Sequence, residues 1–195
     1  MRDGPTREAG TSTRILDVAE RLVQSQGFNG FSYADVAAEL GITKASLHYH
    51  FPGKAELGLA LINRYAVRFA EALHAIDVEV ADVEAKLAAY ADLYASVLKE
   101  RRMCLCGMLA ADYETLPPAM RSAVVRFFDD NETWLEGVLE QGTTQGVLHY
   151  EGAAREEAQL IIGTLEGAML VARPYDAPER FQAAAHRLLT ALSTR

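Results

Sequence analysis

The chain has 195 residues, of which half are hydrophobic, and its 19 Lys and Arg against 27 Asp and Glu give a formal net charge of −8. This length and composition suffice for a sizeable buried core, and the longest apolar stretch, 160–172, is too short and too interrupted to span a membrane. The acidic balance excludes a protein that binds nucleic acid through an overall basic field. However, the first 54 residues hold six basic and six acidic residues, so the excess of negative charge lies entirely in residues 55–195.

The N-terminal residues 1–12 are polar and lack the apolar core of a signal peptide. We therefore expect a flexible arm there, and a soluble, cytoplasmic protein. From Thr13 to Gln26, apolar residues recur at helical spacing and predict a first helix.

The most specific pattern of the chain is SYADVAAELGITKASLHYHFPGK, residues 32–54. Ser32 and Asp35 have the spacing of a capping box, and Gly41 suits the end of a helix. Thr43 is placed to cap a second helix, which Pro52 stops. Two short helices joined by a tight turn predict a helix-turn-helix, whose second helix presents short polar side chains to a DNA major groove.

Beyond this segment, helical spacing of apolar residues predicts further long helices at 54–76, 83–100, 118–141, 154–173 and 178–194. The stretch MCLCGM, at 103–108, is predicted to be irregular. Strand-like alternation is nowhere longer than a few residues, so the predicted fold is all-α with about nine helices.

A resemblance to a known family rests on TKASLHYHFPGK, on the helix before it and on GFNGF at 27–31. These residues resemble the N-terminal domain of TetR-family transcriptional regulators. The family pattern L-Y-x-H-F with a later Lys is matched by Leu47, His50, Phe51 and Lys54, whereas His48 stands where the family commonly has a phosphate-contacting Tyr.

The resemblance implies a three-helix helix-turn-helix domain at 13–54 and a helical ligand-binding and dimerisation domain at 55–195. It also implies a homodimer that binds a palindromic double-stranded DNA operator, acts as a repressor and is released by a small molecule.

At the start of the second helix, Lys44 is predicted to meet a base edge or a phosphate, and Ala45 to allow close approach or to meet a thymine methyl. Phosphate contacts are predicted for Thr43, Tyr49, His50 and Lys54. The predicted DNA-binding residues are Ser32, Thr43, Lys44, Ala45, Ser46, His48, Tyr49, His50 and Lys54. His48 and His50 are two residues apart and therefore point to different sides of a helix. No metal site is predicted from them, and no cofactor.

Aromatic and methionine side chains of the C-terminal part are typical of an adaptable ligand pocket. The predicted pocket residues are Tyr94, Met103, Cys104, Met108, Tyr113, Phe128, Trp134, Met169 and Arg173. Gly163 and Gly167 lie one turn apart, which suits either tight packing within the monomer or a two-fold interface. The predicted interface residues are Leu160, Gly163, Thr164, Gly167 and Leu188.

Cys104 and Cys106 leave three interpretations open: apolar core residues, a redox or electrophile sensor, or soft-metal ligands. Arg101 and Arg102 would lower the pKa of a thiol if they lay close to it. The sequence shows no nucleophile with a base and an orienting acid, so it predicts no enzyme. The alternative functions are a thiol-sensing regulator, a thiol-based redox enzyme and a helical ligand-binding module without DNA binding.

Overall fold

The computed structural model describes residues 5–194, which form nine α-helices and two short 3-10 helices. The all-α prediction is confirmed, and the described residues contain no strand beyond an isolated bridge between Leu148 and Ser193. None of the described helices has both the length and the apolar content needed to cross a membrane. The helices are α1 Pro5–Gln26, α2 Tyr33–Leu40, α3 Lys44–His50, α4 Lys54–Glu79, α5 Val83–Lys99, α6 Leu105–Ala111, α7 Pro118–Thr144, α8 Ala154–Ala172 and α9 Pro178–Leu192.

Two local predictions differ from the structure. The predicted arm, 1–12, is helical from Pro5 onward, where proline suits the first turn of a helix; residues 1–4 lie outside the described residues. The stretch at 103–108, predicted to be irregular, enters α6 at Leu105. Burial of Leu105, Cys106 and Leu109 stabilises this helix, which is too short to show a hydrophobic period in the sequence.

The described chain forms two compact units that are not simple halves of the sequence. The first unit contains the residues up to Ala66 together with Leu105–Val125, and the second contains Val67–Cys104 and the residues from Arg126 onward. Helices α4 and α7 each contribute residues to both units. The predicted domains, 13–54 and 55–195, therefore differ in extent from these units.

In the first unit, α1 packs against α2 and α6, and α2 packs against α3. Ile15, Val23 and Leu47 are fully buried in its core. Arg64 of α4 donates to the carboxylates of Asp17 and Glu20 on α1, each at 2.7 Å. These ion pairs join α4 to α1, which in turn packs against the first helix of the helix-turn-helix.

In the second unit, α8 packs against α9, and both pack against α5. Leu165 and Met169 of α8 are fully buried, and the side chain of Phe181 on α9 is 1% exposed. The start of α9 carries proline, which suits a first helical turn, and Ala185 and Leu192 continue its buried face.

Candidate nucleic-acid interface and effector site

The turn between α2 and α3 forms as its spacing predicts. The Ser32 N–H donates to the Asp35 carboxylate at 2.7 Å, and Gly41 ends α2 with φ +65°, a conformation that favours glycine. Thr43 Oγ1 accepts from the Ser46 N–H at 3.1 Å and begins α3. One detail differs from a capping box: the Ser32 hydroxyl donates to the Asp35 carboxylate, at 2.8 Å. The hydroxyl proton is therefore engaged in this contact.

Helix α3 buries one side chain and exposes most of the others. Leu47 is fully buried, whereas Lys44, Ala45 and His48 are exposed and Tyr49 is 72% exposed. Ser46 and His50 are half-buried. The predicted base-reading and phosphate-binding side chains of this helix therefore share an accessible surface, as a helix that enters a major groove requires.

Lys54 has a structural role that the sequence did not reveal. Its ammonium donates to the carbonyl oxygen of Phe31 and lies 4.3 Å from the ring centroid of Phe31 and 4.8 Å from that of Phe28. Burial lowers the pKa of Lys54, an effect that the carboxylates of Asp112 and Asp35 oppose. Because an ammonium has three donors, this contact leaves the predicted phosphate contact possible.

Asp112, which follows α6, anchors the turn before α2. Its Oδ2 accepts from the Phe28 N–H at 2.8 Å, and Thr115 accepts from the Asn29 side chain at 2.8 Å. Gly27 has φ +83°, and a Cβ there would lie 3.1 Å from the same carboxylate oxygen. Only glycine fits this close approach without strain.

We expect Asp112→Ala to lower the free energy of unfolding by about 1–3 kcal/mol, because the Phe28 N–H loses its acceptor. Thermal unfolding measures the loss. Asp112→Asn keeps an acceptor oxygen and is the matched control. Equal losses in the two variants would contradict this role for the hydrogen bond and would leave the charge of Asp112 as the stabilising feature.

A buried aromatic and polar cluster lies in the second unit. The Tyr90 and Tyr94 hydroxyls are 3.1 Å apart, and Tyr90 donates to Asn131 at 3.4 Å. The Trp134 ring stacks on Tyr90 at 5.6 Å, and the Phe69 ring meets Tyr90 edge-to-face at 6.1 Å. Of the predicted pocket residues, Tyr94 and Trp134 therefore belong to one cluster.

Glu166 brings a carboxyl group to this cluster. The Cys104 thiol donates a hydrogen bond to it, while its Oε1 is buried and has no hydrogen-bond partner among the described residues. Burial raises the pKa of Glu166 to about 7, and the thiol contact partly offsets the rise. The sequence contained one signal for this residue, a carboxylate inside the apolar stretch 160–172.

The other predicted pocket residues are distributed differently. Met103 and Met169 are buried in the second unit, where Phe128 is half-buried beside Phe127. Arg173 lines a separate cavity of ≈ 350 Å³ together with Arg101 and Asp176. Met108 and Tyr113 belong to the first unit, where Met108 lies beside Gly27 and Tyr113 stacks with Arg121.

A further cavity of ≈ 320 Å³ lies between α5 and α9. Its walls include the apolar side chains of Leu87, Ala91 and Phe181, and exposed Glu84 and Asp92 stand at its edge. It is open and lined mainly by helix surfaces, without a buried polar group.

Cys104 and Cys106 form no disulfide, and both are buried. Arg101 pairs with Asp176, and Arg102 pairs with Glu100. The Cys104 thiol donates to the carboxyl of Glu166, which as an anion disfavours a thiolate.

One face of α8 carries small and apolar side chains that no other part of the described chain covers. A Cβ at Gly163 or Gly167 would meet nothing within 4 Å, so these glycines do not serve close packing within the monomer. Leu160, Leu170 and Val171 are 55%, 60% and 57% exposed on the same face. We call this surface, residues 160, 163, 164, 167, 170 and 171, the α8 face.

A helix-turn-helix with an accessible second helix, held on a helical support, defines a helical DNA-binding protein. Residues 15–61 match the family "Bacterial regulatory proteins, tetR family", and residues 83–188 match "Tetracyclin repressor-like, C-terminal domain". The chain belongs to the TetR family of bacterial transcriptional regulators. Its relatives are DNA-binding regulators and not enzymes.

Solved and curated relatives agree with this assignment. A TetR-family regulator from Agrobacterium tumefaciens is 31% identical, with a TM-score of 0.92 over 96% of this chain and 100% of that one. A TetR regulator from Legionella pneumophila is 32% identical, with a TM-score of 0.85 over 99% and 100%. The regulator LmrA of Bacillus subtilis is 26% identical over 88% of each chain.

Proposed function

We propose that this protein is a ligand-responsive transcriptional repressor that binds a palindromic operator as a homodimer and is released by a small molecule. The observation that carries the proposal is the exposed surface of α3, where Lys44, Ala45, His48 and Tyr49 surround the buried anchor Leu47. The neutral charge of the first 54 residues means that binding depends on these local contacts and not on a basic field. Two heads are then needed for useful affinity.

The α8 face supports the homodimer. Small residues allow two copies of α8 to approach closely, and the exposed leucines supply apolar area. Leu188 of α9 is half-buried and extends the proposed interface beyond α8. A two-fold axis through this surface would join two DNA-reading heads in one molecule, as a palindromic operator requires.

The buried cluster around Tyr90 and Glu166 supports an effector site. A buried carboxyl oxygen without a partner favours a ligand that donates a hydrogen bond or carries a positive charge. Helix α4 extends from the helix-turn-helix into the second unit and is the proposed route by which a bound effector changes the pose of the heads. A coupling free energy of about 1–3 kcal/mol would change operator occupancy 5- to 150-fold.

A thiol sensor at Cys104 remains the alternative regulator, but no observation favours it. Both thiols are buried, and a carboxyl group contacts Cys104. We therefore propose that Cys104 and Cys106 are core residues of an effector-binding protein.

A titration of fluorescent duplexes tests the DNA-binding surface. We expect Lys44→Ala to lower the affinity for the intergenic DNA beside the gene by about 1–3 kcal/mol, and to lower it less for a random duplex, because Lys44 contacts bases. Tyr49→Phe removes one phosphate donor and should weaken binding to both duplexes equally.

Lys99→Ala is the matched control, since Lys99 is exposed in the second unit and its loss changes the net charge by the same amount. Wild-type binding should weaken steeply with salt. Binding that is absent, or that does not respond to salt, would reject the regulator and favour a helical ligand-binding module.

A further inference from the structure

The imidazole of His48 is fixed at one edge by the backbone. Its Nδ1 lies 3.0 Å from the carbonyl oxygen of Pro52. Because a carbonyl oxygen only accepts hydrogen bonds, Nδ1 must carry the proton in this contact. The ring also packs on Tyr33 with centroids 4.8 Å apart, and the Tyr33 hydroxyl donates to the Phe51 carbonyl at 2.9 Å. The ring orientation and the tautomer are therefore both set by neighbours.

This tautomer decides what His48 can offer to DNA. A neutral imidazole has one N–H, and here that N–H is directed to Pro52, so Nε2 has only a lone pair. A lone pair cannot donate to a phosphate oxygen and is repelled by it. Protonation adds the second N–H and a positive charge without disturbing the bond to Pro52.

The surroundings of His48 suit an anion. The exposed ring lines an open cleft of ≈ 400 Å³, which also includes Ser32, Tyr33, Lys44 and Lys54. The start of α2 adds backbone N–H groups and the positive end of a helix dipole to this cleft.

Charged groups of both signs lie near His48. Lys44 and Lys54 line the same cleft. The Asp35 carboxylate accepts from the Ser32 N–H, and burial and then the charge of Glu56 raise the pKa of the Tyr33 hydroxyl. A DNA phosphate in the cleft would bring a negative charge to the exposed edge of the His48 ring, and that charge would favour the imidazolium.

We propose that His48 is a proton-dependent phosphate contact, so that each DNA-reading head takes up a proton at His48 when it binds and DNA affinity rises as the pH falls. This inference rests on the proposed DNA interface. Because a phosphate contact carries no information on the base sequence, the effect should be equal for specific and random duplexes.

Fluorescence anisotropy tests the proposal with the intergenic duplex and a random duplex of the same length, between pH 8 and pH 6 at constant ionic strength. Uptake of one proton changes the affinity by up to about tenfold per pH unit, and a dimer with both heads bound by up to about 100-fold. We expect His48→Gln to lose most of this dependence. His48→Tyr carries a hydroxyl donor throughout this range and should bind with little change over pH.

His149→Gln, at an exposed histidine of the second unit, is the matched control and should keep the wild-type dependence. A pH dependence that persists in His48→Gln, or that is absent from the wild type, would overturn the proposal while leaving DNA binding intact. Absence of binding at every pH would instead reject the DNA interface itself. An imidazole nitrogen NMR spectrum adds a direct readout, since Nε2 should become protonated when duplex is added at pH 7.

Discussion

Replacing Leu170 with glutamate should convert the proposed dimer to a monomer and lower the affinity for operator DNA by about 10²- to 10⁴-fold. Leu170 is 60% exposed on the α8 face, beside the open Gly163 and Gly167. Two-fold symmetry would bring the two introduced carboxylates into one apolar interface, where burying unpaired charges is costly. A single head then lacks the second set of contacts that dimerisation supplies.

Sedimentation measures the oligomeric state, and anisotropy measures the affinity for the intergenic duplex. Val78→Glu is the matched control, because Val78 is 71% exposed on α4 and lies off the α8 face. It should remain dimeric and bind DNA normally. A Leu170→Glu variant that stays dimeric would show that the two copies meet through another surface.

The second large effect concerns Glu166 and the pH dependence of stability. The pKa of Glu166 is raised to about 7 in the folded protein, from 4.5 in a free side chain. Between these values the folded state holds a proton that the unfolded state has lost, so the free energy of unfolding falls as the pH rises from 4.5 to 7. The loss is complete above pH 7 and amounts to about 3 kcal/mol.

Glu166→Gln keeps the shape and an acceptor for the Cys104 thiol but cannot ionise. We therefore expect it to be more stable than the wild type at pH 8, by roughly 6–12 °C in Tm, with little difference at pH 5. Thermal unfolding across this range measures the effect. Glu140→Gln, on the exposed side of α7, is the control and should follow the wild type. Parallel curves for Glu166→Gln and the wild type would contradict a buried, titrating carboxyl.

The helix-turn-helix could be predicted because its contacts are local. Ser32 and Asp35 are three residues apart, as are Thr43 and Ser46, so the spacing in the sequence already specifies the hydrogen bonds. Gly41 adopts a positive φ, a conformation that favours glycine at the end of a helix.

Other features depend on partners that no local pattern indicates. The acceptor of the Phe28 N–H lies 84 residues away in Asp112, and no spacing rule connects the two. The contact between Lys54 and the Phe31 carbonyl could not be predicted either, because it arises from how α4 packs on the preceding turn. The extent of α6 could not be predicted, because a seven-residue helix is stabilised by burial and is too short to show a hydrophobic period.

The bond between Asp112 and Phe28 also has a consequence during synthesis of the chain. When Phe28 has been translated, the ribosome must add another 84 residues before the carboxylate that anchors this turn exists. At bacterial elongation rates of about 5–20 residues per second, this takes roughly 4–17 s. The first helices therefore emerge without part of their support, and a grafted DNA-reading head needs residues 105–125 as well as the N-terminal segment to be complete.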